Sequence, residues 1–134
     1  MVFVDTSALV ALADRKDRDH QPAAGFIRCL TPAAGGLVTT NYVLDETFTL
    51  LRRTIGLPHT VAFAEALMQS RLYTIVQVDP KVQSLAWEWF KRYFDKDFSF
   101  TDCTSFVVMK AMSIGEAFAF DRHFVQAGFA CRPR

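Results

Sequence analysis

No apolar run in this sequence approaches the roughly 20 residues a helix needs to cross a bilayer, so no membrane span is expected. Neither sign of charge dominates. The 15 Lys and Arg stand against 14 Asp and Glu, which gives no global basic field of the kind that draws in nucleic acid. Contact with RNA or DNA would have to rest on a local patch, or on a cation that reverses the local sign. Cysteine is scarce and odd in number. Cys29, Cys103 and Cys131 are too widely spaced for a zinc knuckle and make no disulfide framework, so reduced, buried thiols in a cytoplasmic protein are expected. His20, His59 and His123 show no metal-ligand spacing with one another. The opening Met1-Val2-Phe3-Val4-Asp5 lacks a basic segment and meets an acid at its fifth position, so no signal peptide is expected. Repeats and low-complexity tracts are also missing.

What is present is enough apolar material for a sizeable core. At 134 residues, 51% hydrophobic and 22% charged, the chain suits one globular domain over 1–134. Short apolar or β-branched runs alternate with longer helical patterns, which points to βαβ units and an α/β fold with a mainly parallel sheet. The expected strands are Val2–Asp5, Leu37–Thr39, Thr74–Val78, Ala117–Asp121 and a weaker one at Phe129–Cys131. Asp5 can cap a short helix through Ala13. Asn41 can cap a helix to about Ile55, where Gly56 offers a left-handed stop. Pro58 suits the first turn of a helix ending near Ser70, and a last long helix runs from near Thr101 to before Gly115. From Pro80 to Phe94, Val82, Leu85, Ala86, Trp89 and Tyr93 recur at the spacing of a core-facing stripe. Trp87, Phe90 and Phe94 widen that stripe. Deep burial against the sheet and a neighbouring helix is the expectation, with a partner surface as the other reading.

The acids fall where chemistry in such folds collects. Ligands of open parallel sheets bind outside the carboxyl ends of strands, at the point where the topology reverses. Asp5 and Asp121 close two strand candidates, Asp102 opens a helix, and Glu46 lies one turn into another. Taken singly, each acid is explained as a cap, a turn residue or a favourable helix-dipole charge. Asp45 and Glu46 flank the same apolar stripe and are not separated by spacing alone. As a group, carboxylates about 4–5 Å apart repel by roughly 4 kcal/mol per pair at an effective dielectric of 20. Convergence would demand raised pKa values or a cation. With oxygen ligands and no Cys or His cluster, that cation would be Mg²⁺ or Mn²⁺ rather than zinc.

Four segments, Val4-Asp5-Thr6-Ser7-Ala8-Leu9, Thr39-Thr40-Asn41-Tyr42-Val43-Leu44-Asp45-Glu46, Phe98-Ser99-Phe100-Thr101-Asp102 and Ala119-Phe120-Asp121-Arg122-His123-Phe124, resemble the PIN-domain family. Among its members they are most similar to the VapC-like toxins of toxin–antitoxin pairs. The resemblance spans essentially the whole chain. It implies a three-layer α/β/α fold with about five strands, and an endoribonuclease that depends on Mg²⁺ or Mn²⁺. It selects Glu46 over Asp45 and implies a site of Asp5, Glu46, Asp102 and Asp121. It also implies a homodimer, and a small antitoxin protein lying across the surface near the site.

Two departures stand out. Many relatives carry a hydroxyl where this chain has Ala119, and a second acid where it has His123. Asp121 is therefore expected at the edge of the site, reaching the metal through water. Ser7 is a candidate for holding a carboxylate or a substrate phosphate, and Arg122, Arg15-Lys16 and Arg52-Arg53 for phosphate contacts. His123 is read as a turn residue.

Rival readings fit less well. A phosphoryl-accepting receiver domain needs paired acids after the first strand, where this chain offers Asp5 alone. A phosphatase of the Asp-x-Asp type fails at Asp5-Thr6-Ser7. A non-catalytic binding module of the same fold would be expected to lack one of the acids, and all four are present.

Overall fold

Five short strands form one parallel sheet in the computed structural model, which describes all 134 residues. These are β1 (Val2–Val4), β2 (Leu37–Thr40), β3 (Tyr73–Val76), β4 (Glu116–Phe118) and β5 (Ala130–Arg132). Their order is β3-β2-β1-β4-β5, and every pairing is parallel. Parallel neighbours need crossovers, and helices supply them: α1 (Thr6–Ala13), α2 (His20–Arg28), α3 (Asn41–Thr54), α4 (Leu57–Gln69), α5 (Pro80–Arg92), α6 (Phe100–Ala111) and α7 (His123–Gln126). Every residue of β1 and β2 is buried, so helices cover both faces of the central strands in an α/β/α arrangement. The topology reverses between β1 and β4: the chain fills the sheet to one side of β1, then crosses to the other. The carboxyl ends of those two strands therefore open the crevice where a site is expected.

The phenylalanines account for much of the core. Phe106 of α6 meets Phe98 at 5.0 Å and Phe124 at 5.1 Å between ring centroids, both edge to face. Phe124 in turn packs on Phe3 of β1 at 6.1 Å. Edge-to-face pairs add about 0.5–1.5 kcal/mol each beyond their buried area. The cluster locks α6 and α7 onto the sheet directly beneath the carboxyl ends of β1 and β4.

Several element boundaries differ from the sequence expectation, each for a local reason. The cap of α3 is Thr40, whose Oγ1 accepts from the Val43 N–H at 3.1 Å, and not Asn41. Asn41 Oδ1 instead accepts from the N–H of Val78 at 2.8 Å, which takes Val78 out of the ladder and ends β3 at Val76. Strand β4 stops at Phe118 rather than Asp121, because the Phe120 N–H turns aside to Ser7 Oγ at 3.0 Å. Helix α2 was not expected at all. Its Pro22 lies in the first turn, where a missing N–H costs nothing, and Gly25 weakens the helical signal. Gly56 takes φ +84° with ψ 164°, a glycine-only conformation but not the left-handed helical stop expected, and it precedes α4 as its cap position.

The expected deep burial of the outer arc of α5 is overturned. Ala86 is buried and Trp89 packs on Phe106 at 5.2 Å between centroids. Trp87 is 51% exposed and Phe94 89%, while Leu85 and Phe90 also lie at the surface. The cause is the position of α5, whose one substantial helix neighbour is α6. The cysteines likewise divide: Cys103 is buried, Cys131 half-buried and Cys29 exposed, all free thiols. No helix is long and apolar enough to cross a membrane.

Candidate active site

Asp5 follows β1 and is nearly inaccessible at 2% exposure. It caps α1: Oδ2 accepts from the Ser7 N–H at 3.2 Å and from the Ser7 hydroxyl at 2.7 Å. The same hydroxyl oxygen accepts from the Phe120 N–H, so Ser7 ties the exits of β1 and β4 together across 113 residues of chain. Both hydrogen-bonding roles of Ser7 are thus used inside the protein. It positions a carboxylate and leaves no proton for a substrate phosphate.

Asp102 sits at the third position of α6 in a capping box with Ser99. The Asp102 N–H donates to Ser99 Oγ at 2.9 Å, and the Ser99 N–H donates to Asp102 Oδ2 at 3.1 Å. That oxygen also lies 2.9 Å from His123 Nδ1, the ring nitrogen that donates when the acid is ionised. Asp121 Oδ1 accepts from the His123 backbone N–H at 3.0 Å. Ligand atoms of Asp102, Asp121 and His123 all lie within 4.8 Å of one another.

A repeated pattern runs through the three aspartates. Each commits one oxygen to an N–H or O–H donor of the fold (Oδ2 of Asp5, Oδ2 of Asp102, Oδ1 of Asp121), and the carboxyls of Asp5 and Asp121 lie within hydrogen-bonding reach of each other. The cost appears in their ionisation. Burial, then the Asp121 charge, pushes the Asp5 carboxyl well above the usual carboxylate range, with Asp102 adding to the effect and the Ser7 bond opposing it. Burial also raises Asp102, as does Asp121, against the bond from Ser99 and the nearby His123. Asp121 is thus the acid felt by both of the others, a central place rather than the edge expected for it.

Glu46 approaches from α3. It lies half-buried on the wall of an open cavity of about 440 Å³ that Asp5, Thr6, Ser7 and Asp121 also line. Asp5 and Glu46 stand outside the tight group of Asp102, Asp121 and His123. Asp45, on the opposite flank of α3, is exposed and not part of the cavity wall. The hydroxyl of Thr6, on the same wall, is buried with no hydrogen-bond partner in the protein. Arg122 is exposed at the start of α7 and makes no ion pair.

The sequence places His123 near the site but ranks it as a turn residue before a general acid; its bond to Asp102 is what that reading lacked. The spacing of two after Asp121 was the available signal, since a residue there folds back onto the acid cluster. That reading also missed Asp17, Arg18 and Asp19, which rim the cavity from the α1–α2 loop; Arg18 pairs with Asp19 at 3.5 Å. A loop carries no periodicity from which such a rim is read.

Chemically, the site offers crowded carboxylates, one imidazole and a free hydroxyl at the switch point of a parallel sheet. A hard divalent cation fits that donor set, because it would relieve the repulsion that raises Asp5 and Asp102.

Comparison with known proteins agrees with the fold. The PIN-domain family profile matches residues 2–130. The 23S rRNA-specific endonuclease VapC20 of Mycobacterium tuberculosis is 42% identical over 132 residues, covering 96% of this chain and 95% of that protein. The VapC ribonuclease of Archaeoglobus fulgidus is 32% identical over 124 residues, covering 91% and 78%. The crystal structure of M. tuberculosis VapC20, described as a sarcin–ricin loop cleaving toxin, superposes with a TM-score of 0.90 at 38% identity over 97% of each chain. That of FitAcB from Neisseria gonorrhoeae shares the fold, with a TM-score of 0.71 at 15% identity over 98% of this chain and 96% of that one. This chain belongs to the PIN-domain family, within its VapC-like branch.

Proposed function

We propose that this protein is a metal-dependent endoribonuclease, the toxin of a toxin–antitoxin pair, and that Asp5, Glu46, Asp102 and Asp121 hold Mg²⁺ or Mn²⁺. The observation that carries this reading is the set of three aspartates, each with one oxygen fixed by the fold. Capping alone would not bury and crowd them until two are driven toward protonation. The unpartnered Thr6 hydroxyl on the same wall supports a ligand in the cavity.

When bound, a divalent cation supplies Lewis acidity: it polarises the phosphoryl group and acidifies a water. The chain itself supplies position. Ser7 holds Asp5, Ser99 and His123 hold Asp102, and the His123 backbone holds Asp121. Hydrolysis replaces one P–O ester bond by a bond from phosphorus to the oxygen of water, and a proton ends on the leaving oxygen.

The RNA we propose is the one its relative is named for, 23S rRNA, and within it an exposed loop. Support comes from 42% identity to that 23S rRNA-specific endonuclease along nearly the whole length of both chains. Loops present unstacked nucleotides that a cavity on a protein surface can reach. Cytoplasmic action, a small antitoxin and a homodimer complete the reading. The exposed aromatic arc of α5 supports the last of these.

The test is incubation of purified protein with ribosomes in Mg²⁺, Mn²⁺ or EDTA, followed by primer extension along the rRNA. A single cut in 23S rRNA that needs the cation and is lost in Asp5→Asn is expected. Cleavage that persists in EDTA, or in Asp5→Asn, would reject the metal site.

A further inference from the structure

A second cavity lies about two helical turns beyond the acids and has the opposite character. It is open, about 620 Å³ in volume, and bounded by the end of α1, the end of α3 and the first turn of α4. Arg15, Lys16 and His59 line it, with Asp14 as its single acid. Arg15 and Lys16 are exposed and make no ion pair, in contrast to Arg18 two residues on, which is neutralised by Asp19. Asp14 is partly occupied locally, Oδ1 accepting from the Lys16 backbone N–H at 3.0 Å.

The two cavities are neighbours along the same two helices. Val10 and Leu50 line the acidic one; Ala13 and Thr54, about one turn further along the same helices, line the basic one. The loop from Asp14 to Asp19 walls both. Along α3, Glu46 and Thr54 are separated by a rise of about 12 Å. The carbonyl ends of α1 and α3 are negative and the first turn of α4 is positive, so the exposed cations of the loop decide whether an anion is held here. Arg52 and Arg53 in the last turn of α3 offset the local negative end.

We infer that this cavity is a phosphate-binding subsite for the RNA strand, with Arg15 and Lys16 contacting the backbone a few nucleotides from the scissile phosphate. The inference rests on the ribonuclease reading and deepens it. An acidic centre repels a polyanion, and a chain of balanced charge has no global field to overcome that. Affinity must come from cations beside the acids, and this cavity places two free ones on a path leading away from them. Such contacts are blind to base sequence and sensitive to salt.

The experiment is steady-state cleavage of a 23S rRNA fragment by wild type, Arg15→Ala/Lys16→Ala and the charge-matched control Arg71→Ala/Lys81→Ala, across a salt series. All three proteins are first matched for folding by circular dichroism. For Arg15→Ala/Lys16→Ala we expect KM to rise about tenfold, with most of the loss in KM rather than kcat. The slope of log(kcat/KM) against log salt should flatten by about 1.4, since each phosphate contact on a single strand contributes about 0.7. A KM and a salt slope equal to those of the control would overturn the subsite while leaving the ribonuclease reading intact. Absence of cleavage by wild type in either divalent cation would overturn both.

Discussion

Nδ1 of His123 lies 2.9 Å from Oδ2 of Asp102, joining the start of α7 to the start of α6 across the mouth of the sheet. The ring is held from behind by Phe98, edge to face at 5.9 Å between centroids. Its backbone N–H fixes Asp121 at the same time, so one residue orients two acids. Residues that orient a metal's ligands commonly matter tenfold to a hundredfold for affinity or activity. His123→Ala keeps the backbone bond to Asp121 and removes the one to Asp102. We predict a tenfold to hundredfold loss in Mn²⁺ affinity by calorimetry, with secondary structure unchanged. Wild-type affinity in the variant would reduce His123 to a packing residue.

The raised ionisation of the acids gives a pH dependence of definite sign. Burial and the neighbouring Asp121 hold the native Asp5 carboxyl well above its ordinary value of 3.8. The native state therefore binds that proton more tightly than the unfolded chain does. Stability falls as pH rises from the ordinary value through the raised native one. Asp5→Asn keeps an acceptor for the Ser7 N–H and removes the charge. Without divalent cation, the melting temperature of Asp5→Asn should exceed that of wild type, and the gap should widen from pH 4 to pH 7 by thermal melts. A gap that narrows with pH would show that the charge of Asp5 stabilises the fold.

Cation addition should act in the opposite direction. A ligand that binds only the native state stabilises it by about 2.7 kcal/mol at a hundredfold excess over Kd. Mg²⁺ or Mn²⁺ should thus raise the melting temperature of wild type, and Asp102→Asn should abolish most of that rise. An equal rise in both proteins would place the cation elsewhere.

How much of this was legible in the sequence depends on which interactions are local. Asp5 and Asp102 were readable because a strand end and a helix start leave short-range marks, whereas the strand read to end at Asp121 ends at Phe118. Glu46 was not separable from Asp45 by its spacing, and the resemblance to a family settled what helical geometry left open. The hold of Ser7 on a carboxylate was readable, but its bond to Phe120 and the role of Asn41 were not, because those partners lie 113 and 37 residues away. Long-range hydrogen bonds of this kind also moved the ends of β3 and β4. The exposure of Trp87 and Phe94 was misread for a related reason. Periodicity shows that a helix has a wide apolar arc, but not how many neighbours are there to cover it.

Ser7 offers a test of the link between the two central strands. Ser7→Ala leaves the Phe120 N–H without its acceptor and removes a bond that favours the ionised Asp5. Leaving a buried donor unpaired costs about 1–3 kcal/mol. We predict a loss of that size in urea unfolding at neutral pH without divalent cation, together with weaker cation binding. Unchanged stability would mean that water replaces the hydroxyl at the exits of β1 and β4.

The last prediction concerns the outer arc of α5. Trp87 and Phe90 pack together at 5.8 Å between centroids, both lie about 6 Å from Phe100, and Phe94 projects almost wholly into solvent. Exposed aromatic residues of this kind are unusual on a monomer and typical of the centre of an interface, where aromatic residues dominate the binding energy. A second copy offers the same face, and apposing the two would shield the arcs of both in a twofold-symmetric contact. We predict that wild type elutes as a dimer by light scattering, and that Phe94→Lys or Trp87→Lys yields a monomer with native circular dichroism. Trp87 emission, followed in a Trp89→Phe background, should shift to the red as the protein is diluted through dissociation. Wild type that remains monomeric at high micromolar concentration, with emission independent of concentration, would assign the arc to a partner of another kind.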